Sequence, residues 1–480
     1  MLKEDPANLL RATIVSTEIN EDHVDYTIEC CYHLRGPDTW TVKRRFNDFY
    51  RLNKNLEPFG FKLGMPSKKF FGNLQPSFIE KRKNELQEFL NNITLHPLIF
   101  CSPVVAQFLE LADEPLKEYE NYVLVAARNR EAFRLTSILH GCSWRFYKLF
   151  ALLNDVGRDE QQDFFVLSWM PFGPDSCIDG SRRSLAILND CLKFLKGFRS
   201  LYFSKSVDSF ADHGIGVITN HVRQGTLRDR LYQSKPEDTF IRKYSMNRDC
   251  YVIGKMDAIF VARQLLEVIK VLNNINYPFY NFHCGNLLIT EESVEVIDIE
   301  FALAGHSTFN RHSLIRSKVQ TVAEMRLFNF AHCIYEMLTG TLAFPDHDIT
   351  SALDSVPVEI FELIVSIVRP KEKMPTVDEL IGLPIFEGFK VKTPDTQKIL
   401  IAKHVQDHFS QVCTKIEERL KADRANYFMN VQREYVNRYL SSAEEKSRRR
   451  TIIQEHIRNN MQTQKQEETQ NSSSNNAIST

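Results

Sequence analysis

Length, composition and charge exclude several classes of protein. The chain has 480 residues, of which 43% are hydrophobic and 25% charged, as in ordinary globular proteins, and this length allows two or three domains. The formal net charge of −1 argues against a nucleic-acid-binding protein, so any basic binding site must be local. No apolar run reaches the ~18 residues that a membrane-spanning helix needs.

The ten cysteines are scattered along the chain and include no C-x-x-C pair. This distribution predicts the reduced thiols of a cytoplasmic protein and argues against a disulfide or zinc framework. The opening segment, MLKEDPANLLRATIVSTEIN, also lacks the apolar core of a secretory signal peptide.

Residues 8–46 have the alternating pattern of three β-strands. In the second of these, VDYTIECCYHL, one face is apolar and consists of Val24, Tyr26, Ile28, Cys30, Tyr32 and Leu34. In the third, TWTVKRRF, Arg45 lies on the face opposite Trp40 and Val42. Helical spacing begins near Phe49 and returns in FIEKRKNELQEFLNNI and CSPVVAQFLEL. The sequence predicts an α+β module, with three antiparallel strands followed by helices.

The basic run Lys43, Arg44 and Arg45 has two interpretations. One is a solvated strand edge. The other is an anion-binding pocket, because a guanidinium presents a rigid fork of donors that can hold a phosphate with two hydrogen bonds. The loop MPSKKFFG adds Lys68, a flexible point charge, and the next helix adds Arg82. These further cations favour the pocket.

Two motifs in this module, VKRRFNDFYRLNKNL and MPSKKFFGNLQPSFIEKRKNELQEFL, resemble the PX (phox homology) domain in order and separation. The resemblance implies that Arg45 binds the 3-phosphate of a phosphoinositide and that Phe46 stacks on the inositol ring. It also implies that Lys68 contacts the 1-phosphate and Arg82 the 4- and 5-hydroxyls. Phe46 stands where the family usually has Tyr, and it keeps the stacking face. The implied ligand is phosphatidylinositol 3-phosphate.

The same loop carries Phe70 and Phe71 beside Lys68 and Lys69. Apolar side chains flanked by basic residues suit insertion into an anionic membrane surface. The alternative is that one of the two Phe belongs to the core.

Residues 118–392 resemble a protein kinase, most closely in their second half. LLEVIKVLNNINYPFYNFHCGNLLI parallels the catalytic loop H-R-D-L-x-x-x-N, and VEVIDIEFA parallels the D-F-G region. Aligning on Asn286 puts Asn281 at the catalytic Asp and retains Asp298. The resemblance implies a two-lobed fold in which Asn286 and Asp298 stand where Mg²⁺ is held. Without the resemblance, Asn can cap a loop and Asp can bind backbone amides.

Several catalytic parts of a kinase are not found here. Residues 118–165 contain no G-x-G-x-x-G, and reading VLSW against V-A-I-K puts Trp169 in place of the phosphate-binding Lys. The Glu that pairs with that Lys and the A-P-E sequence are also missing. Asn281 is a neutral amide, and losing a general base typically costs about 10²–10⁴ in rate. We predict a pseudokinase with no catalytic residue. The cofactor binding that we still expect is weak binding of ATP and Mg²⁺.

Residues 396–460 are helical in pattern and heavily charged, with the basic residues Lys446, Arg448, Arg449 and Arg450 in KSRRR. This run either strengthens membrane or partner association or is a solvated helix face. The polar residues 461–480 predict a disordered tail. The predicted domains are 8–116 for the PX module, 118–392 for the kinase-like region and 396–460 for the charged helix.

The order of PX module, kinase-like region and basic C-terminal segment is similar to the PX domain-containing protein kinase-like family over residues 8–392. The resemblance implies a cytoplasmic trafficking adaptor that binds peripherally to phosphatidylinositol 3-phosphate in early endosomal membrane. Its partners would be proteins, including membrane cargo, and no nucleic acid. The family's proline-rich, actin-binding C-terminus is not carried over, since no proline follows Pro394 and the tail has no clear L-K-K-type actin motif.

Two alternatives stay open. One is an active, atypical kinase recruited to endosomal membranes, in which another residue replaces the missing Lys. The other is a PX module that binds only proteins, which would require Arg45 to be buried in an ion pair.

Overall fold

The structure is a computed structural model, and it describes residues 10–32, 39–60, 63–68, 74–95, 99, 102–110, 113–139, 148–156, 164–173, 175–198, 202–236, 238, 243, 251–290, 293–306, 308, 310–340, 356–394, 399–441, 445 and 447–455.

Three antiparallel strands open the described chain, as the alternating pattern predicted. They are β1 (Leu10–Ile19), β2 (Val24–Tyr32) and β3 (Thr39–Arg45), hydrogen-bonded in the order β1-β2-β3. On the predicted apolar face of β2, the side chains of Val24, Tyr26, Ile28 and Cys30 are buried. Leu34 of that face, and the side chain of Tyr32, lie outside what the structure describes.

Three helices cover this sheet: α1 (Phe46–Leu56), α2 (Pro76–Leu95) and α3 (Pro103–Leu109), with a 3₁₀ turn at Glu57–Phe59 after α1. Phe49 of α1 is fully buried, and its ring centroid lies 6.0 Å from Tyr26, 6.3 Å from Phe89 and 5.0 Å from Phe108. These aromatic contacts hold α1 between the sheet and the other two helices. The N-terminus of α1 is therefore fixed at the end of β3.

A five-stranded antiparallel sheet forms the first part of the kinase-like region. Its strands are β4 (Phe133–Ile138), β5 (Leu149–Asp155), β6 (Phe164–Pro171), β7 (Ser206–Ala211) and β8 (Gly214–Asn220), in the order β4-β5-β6-β8-β7. Helix α4 (Asp113–Arg128) precedes the sheet, and α5 (Arg182–Gly197) connects β6 to β7. Val123 and Ala127 of α4 pack with Leu167, Trp169 and Ile218 on one face of the sheet.

The second part of the region is mainly helical. Its elements are α6 (Leu227–Leu231), α7 (Lys255–Asn274), the hairpin of β9 (Leu287–Ile289) and β10 (Val294–Val296), α8 (Arg311–Arg316), α9 (Val322–Thr339), α10 (Val358–Val368) and α11 (Val377–Ile381). Short 3₁₀ turns lie at Cys284–Asn286, Ile299–Leu303 and Pro384–Phe386. The predicted α+β class is confirmed, with a sheet-rich part followed by a helical part.

The last long helix is α12 (Lys403–Ser441). Up to Arg424 it belongs to the same compact unit as the preceding domains, and from Ala425 it belongs to a separate unit. The buried ring of Phe409 lies 5.9 Å from Phe194 on α5 and 4.8 Å from Tyr277. The first half of α12 is thus part of the packed kinase-like region.

Residues 447–455 are also helical, and the predicted disordered tail at 461–480 lies outside the described residues. None of the helices that the structure describes combines the length and apolar character needed to cross a bilayer.

Candidate functional site

Arg82 of α2 is the centre of the first candidate site. The residue is only 5% exposed, and its guanidinium carbon lies 4.1 Å from the ring centroid of Phe46 and 4.3 Å from that of Phe78. Its Nε and Nη2 atoms are buried, with no hydrogen-bond partner among the described residues. Burial lowers the pKa of this guanidinium, although arginine remains charged in proteins. A buried cation with unused donors is prepared for an anionic or polyhydroxylated ligand.

Arg45 lies where β3 ends and caps the N-terminus of α1. Its backbone N–H donates to the carboxylate of Asp48 at 3.0 Å. Its side chain is exposed, and no hydrogen bond or ion pair joins the guanidinium to the rest of the described chain. The N-terminus of a helix carries a partial positive charge that favours anions. The first turn of α1 and Arg45 therefore contribute positive potential at the same place.

The other two cations of the basic run have protein partners. Arg44 donates from Nε to the backbone oxygen of Phe108 at 2.8 Å and from Nη2 to Glu110 at 2.6 Å. Lys43 pairs with Glu18 at 2.8 Å. Strand alternation thus gives Arg44 a structural role and leaves Arg45 directed to the exterior. A protein-only PX module, which would need Arg45 in a buried ion pair, does not match this geometry.

Lys68 is exposed, and its Nζ lies 6.0 Å from the ring centroid of Tyr50. Tyr50 follows Phe46 by one helical turn on α1, so the two rings share a face of the helix. One ring lies against Arg82 and the other against Lys68, while Arg45 caps the helix. The structure therefore brings together all four predicted residues, Arg45, Phe46, Lys68 and Arg82, which we call the PX anion site. Phe70 and Phe71 lie outside the described residues.

The second candidate site is a cavity of about 120 Å³ in the kinase-like region. This is roughly ten times the ~10–15 Å³ that one water molecule needs, so the cavity can hold a larger ligand. Its lining includes Val166 and Ser168 of β6, Leu288 and Ile297, and the chain at 219–222. We call this the cleft.

Lys148 provides a cation beside the cleft that sequence reasoning missed, in contact with Asp298 of the lining. It directly precedes β5, its side chain is completely buried, and its ammonium group donates to the carboxylate of Asp298. Nζ lies 3.9 Å from the ring centroid of Phe301 and 4.9 Å from that of Phe150. Strand alternation puts Lys148 on the same face as Phe150, which lines the cleft, and this signal was present in the sequence.

Trp169 does not occupy the position that the alignment with V-A-I-K gave it. Its side chain, 1% exposed, packs in the cluster with Val123 and Ala127 on one face of the sheet. Val166 and Ser168 of the same strand line the cleft, so Trp169 points away from it. The alignment is therefore displaced by an odd number of residues, because neighbouring side chains of a strand face opposite ways.

Asn281 and Asn286 are linked to the surrounding loop. The Asn286 side chain donates from Nδ2 to the backbone oxygen of Asn281 at 3.0 Å. The side-chain oxygen of Asn281 accepts from the Thr308 hydroxyl at 2.8 Å. These bonds give both amides a role in holding the loop. They agree with the alternative in which an Asn at this position stabilises a loop.

Asp298 adopts a left-handed backbone conformation, with φ at 65°, which is uncommon outside glycine. Strained residues of this kind cluster at ligand sites. Glu300 follows two residues later, and burial raises its pKa to about 7. Lys148, Asp298 and Glu300 thus bring one ammonium group and two carboxyl groups together in a buried environment.

We tested whether these residues fit Mg²⁺, which the kinase resemblance implies at Asn286 and Asp298. Mg²⁺ requires oxygen ligands in a near-octahedral arrangement. The Asp298 carboxylate is instead engaged by the Lys148 ammonium group. As arranged here, the residues do not fit the ion.

The two sites and their folds define a PX domain followed by a kinase-like region. A model of the PX domain family matches residues 33–112. The chain is 25% identical over 426 residues to the "PX domain-containing protein kinase-like protein" of Rattus norvegicus, which covers 86% of this chain and 72% of that protein. The predicted resemblance to that family is therefore confirmed.

Two further relatives match one part each. The "Probable inactive serine/threonine-protein kinase slob1" of Dictyostelium discoideum is 29% identical over 200 residues, which is 37% of this chain and 34% of that protein. "Sorting nexin-16" of Rattus norvegicus is 36% identical over 107 residues, which is 22% of this chain and 31% of that protein. The relatives thus include one protein named as kinase-like, one named as a probable inactive kinase and one named as a sorting nexin.

Proposed function

We propose that this protein is an adaptor that binds phosphatidylinositol 3-phosphate on early endosomal membrane and carries a catalytically impaired kinase-like scaffold. The scaffold binds proteins, including membrane cargo. The similarity of the PX domain to a sorting nexin supports a peripheral role at the membrane. Relatives named kinase-like or probably inactive support the loss of catalysis.

The observation that carries the proposal is the unused hydrogen-bonding capacity of Arg82, held between two aromatic rings beside the cap of α1. A phosphate at Arg45 and ring hydroxyls at Arg82 would satisfy these donors. Lys68 would then meet the phosphate that joins the headgroup to the lipid. Phe70 and Phe71, if they are near the membrane, would add apolar contact with the acyl layer.

Liposome sedimentation of the full chain tests the lipid site. We expect wild-type protein to bind vesicles that contain phosphatidylinositol 3-phosphate better than vesicles with phosphatidylinositol or with other monophosphates. Arg45→Ala should cost roughly 1.5–3 kcal/mol, the range for a hydrogen bond to a charged group, or about a 10- to 150-fold loss of affinity.

Arg51→Ala is the matched control, because Arg51 is an exposed arginine on the same helix, with its side chain 73% exposed. It should bind as the wild type does. Equal binding by wild type and Arg45→Ala would contradict the proposed site, and an equal loss in both variants would show a general charge effect.

One observation supports the alternative of an active atypical kinase. Lys148 contacts Asp298 and could replace the missing Lys. Against it stand the neutral Asn281 and the engagement of Asp298 by that same lysine. We expect no phosphoryl transfer above background from the purified full chain with ATP and Mg²⁺. Autophosphorylation, or phosphorylation of a generic substrate, that is abolished by Asp298→Ala would establish the alternative.

A further inference from the structure

Thr451 lies in the helical segment 447–455, near the end of the described chain, and the proposed function gives it no role. Every residue of this segment is exposed. The segment belongs to the unit that begins at Ala425, and not to the unit that holds both candidate sites. The side chain of Thr451 is therefore accessible to another protein.

Three arginines directly precede Thr451: Arg448, Arg449 and Arg450. Protein kinases choose their substrates partly by charge pattern, and a peptide groove with acidic side chains selects basic residues before the acceptor hydroxyl. The side chains of Arg448 and Arg449 are more than half exposed, although both approach Glu445, at 3.7 Å and 3.2 Å. The arginines are thus available to such a groove together with the threonine.

The helical segment has to open locally before an enzyme can use this hydroxyl, because Thr451 Oγ1 donates to the backbone oxygen of Ser447, one turn earlier, at 3.2 Å. A helix as short as 447–455 is marginal in water without buried contacts. Exposed segments with few buried contacts also open at a low cost in free energy. The bond to Ser447 is therefore a small barrier to modification of the hydroxyl.

Ser184 provides a contrast within the same chain. It follows Arg182 and Arg183, but its hydroxyl donates to Asp179 at 2.6 Å and its N–H donates to the Ser181 hydroxyl at 3.1 Å. These bonds fix Ser184 in the first turn of α5, a helix with a buried apolar face. Arginine neighbours alone thus do not make a hydroxyl accessible, and Thr451 combines them with an exposed and loosely held hydroxyl.

We propose that Thr451 is a phosphorylation site for a separate, arginine-directed serine/threonine kinase, and that the phosphate weakens the attraction of the C-terminal basic run to anionic membrane. The C-terminal basic run consists of Lys446, Arg448, Arg449 and Arg450. In the transfer, Thr451 Oγ1 forms a bond to the γ-phosphorus of ATP while the bond from that phosphorus to the β,γ-bridging oxygen breaks. ADP leaves, and the hydroxyl proton passes to the general base of that kinase. The effect on membrane binding rests on the proposed function, whereas the modification itself does not.

The size of the effect follows from charge. Residues 445–450 carry four cations and one carboxylate, a formal charge of +3. A phosphothreonine adds about −1.5 to −2 at pH 7, so the formal charge falls to roughly +1. Each charge near an anionic surface contributes about 1 kcal/mol at best, which is about fivefold in affinity. Phosphorylation should therefore weaken binding to strongly anionic vesicles by up to about 30-fold.

Treatment of the full chain with ATP and the catalytic subunit of cyclic-AMP-dependent protein kinase, an arginine-directed enzyme, tests the site. We expect mass spectrometry to place a phosphate on Thr451, and Thr451→Ala to lose it. The matched control is Thr414→Ala, because Thr414 is also an exposed helical threonine that donates to the backbone oxygen one turn earlier, Ser410, at 3.0 Å. The residues before it, HFSQVC, include no arginine, so this variant should take up phosphate on Thr451 as the wild type does. Wild-type protein without phosphate on Thr451 would overturn the proposal.

Liposome sedimentation of the phosphorylated and the untreated full chain tests the effect on membrane binding. The vesicles contain phosphatidylinositol 3-phosphate in phosphatidylcholine, either alone or with added phosphatidylserine. We expect phosphorylation to lower the affinity for the phosphatidylserine vesicles by about 3- to 30-fold and to leave the affinity for the others unchanged, because the PX anion site is intact. Thr451→Ala after the same treatment should bind as the untreated wild type does. Equal binding of phosphorylated and untreated protein to the phosphatidylserine vesicles would overturn the membrane effect.

Failure of this inference is distinguishable from failure of the proposed function. If the untreated protein binds neither kind of vesicle, the proposed function fails, while the mass spectrum still decides the phosphorylation site. If the untreated protein binds both kinds but Thr451 takes up no phosphate, this inference alone fails. An equal loss of affinity for both kinds of vesicle after phosphorylation would show that the phosphate does not act through anionic lipid, and would overturn the electrostatic effect.

Discussion

At the scale of single residues, Arg82 shows how a ligand site can be recognised from unused hydrogen-bonding capacity. A buried donor without a partner costs about 1–3 kcal/mol, and Arg82 has two such donor atoms among the described residues. The stacking of a guanidinium on an aromatic ring returns about 0.5–1 kcal/mol at an exposed site and about 2 when desolvated, and Arg82 has two such rings. The two effects are similar in size, so the arginine is not retained for stability. We therefore expect its net contribution to appear when a ligand accepts its hydrogen bonds.

This balance predicts that Arg82→Met separates binding from stability. Methionine keeps an unbranched apolar side chain between Phe46 and Phe78 but removes every donor, so the free energy of unfolding should change by less than about 1 kcal/mol. Affinity for phosphatidylinositol 3-phosphate liposomes should fall by about tenfold or more, since hydrogen bonds to a charged group contribute about 1.5–3 kcal/mol. Chemical denaturation and liposome sedimentation measure the two quantities.

Arg51→Met is the control for the loss of an arginine near this site, and it should leave both quantities unchanged. A large loss of stability in Arg82→Met, in step with the loss of binding, would mean that the guanidinium is a structural element of the domain.

At the scale of elements, the first half of α12 is more than a charged surface helix. Lys415 donates to the backbone oxygen of Ser176 at 2.6 Å, and Glu417 accepts from the Val322 N–H at 2.8 Å. Arg311 of α8 forms a buried ion pair with Asp423. These contacts join α12 to the loop after β6, to α8 and to α9. The helix thus ties the two parts of the kinase-like region together.

We predict that Asp423→Ala destabilises the full chain by about 3–5 kcal/mol, because it leaves the buried charge of Arg311 without its partner. Replacing both residues, as Arg311→Met with Asp423→Leu, should recover most of this loss. Urea unfolding followed by circular dichroism measures this change in the free energy of unfolding, in the transition that corresponds to the kinase-like region.

The surface pair of Lys270 and Asp378 provides the comparison, because Asp378 is 74% exposed in a pair of 2.6 Å. Asp378→Ala should cost no more than about 1 kcal/mol. An equally small effect of Asp423→Ala would show that α12 is only loosely attached.

The elements differ in how far the sequence could predict them. The strands of the PX module follow from alternation, since Tyr26, Ile28 and Cys30 have to face one core. The burial of the first half of α12 was harder to predict, because charged residues outnumber buried ones over 403–424 and charge runs are usually solvated. The spacing of Val405, Phe409 and Val412 was the available sign of a packed face.

The residues of the two candidate sites also differ in how far the sequence could predict them. Arg45, Phe46, Lys68 and Arg82 lie in one local motif and its neighbouring helix, so a motif could identify them together. Lys148 is 150 residues from Asp298, and the contact depends on how the strands of the sheet are ordered. A search for the cation confined to the strand of V-A-I-K could not find a residue that directly precedes the neighbouring strand.

At the scale of the whole molecule, the near-zero net charge means that attraction to a membrane depends on local groups. One such group is the basic run of the C-terminal unit. Arg448 and Arg449 are exposed, at 68% and 53%, and both approach Glu445, at 3.7 Å and 3.2 Å. Lys446 lies outside the described residues. Glu445 neutralises part of the positive charge, so the run is weaker than its sequence indicates.

We predict that replacing Arg448, Arg449 and Arg450 by Gln in the full chain lowers the affinity for anionic liposomes that contain phosphatidylinositol 3-phosphate. Each basic residue near an anionic surface contributes about 1 kcal/mol at best, and the nearby Glu445 offsets part of this, so the total should stay below about 3 kcal/mol. Raising the salt concentration from ~0.1 M to ~1 M shortens the Debye length from about 10 Å to about 3 Å and should abolish the difference between the variant and the wild type.

Gln replacements of the exposed residues Lys193 and Lys196 on α5 control for net charge and should have a smaller effect. If the triple variant binds like the wild type at low salt, the run is a solvated helix face, and the affinity of the whole molecule comes from the PX anion site.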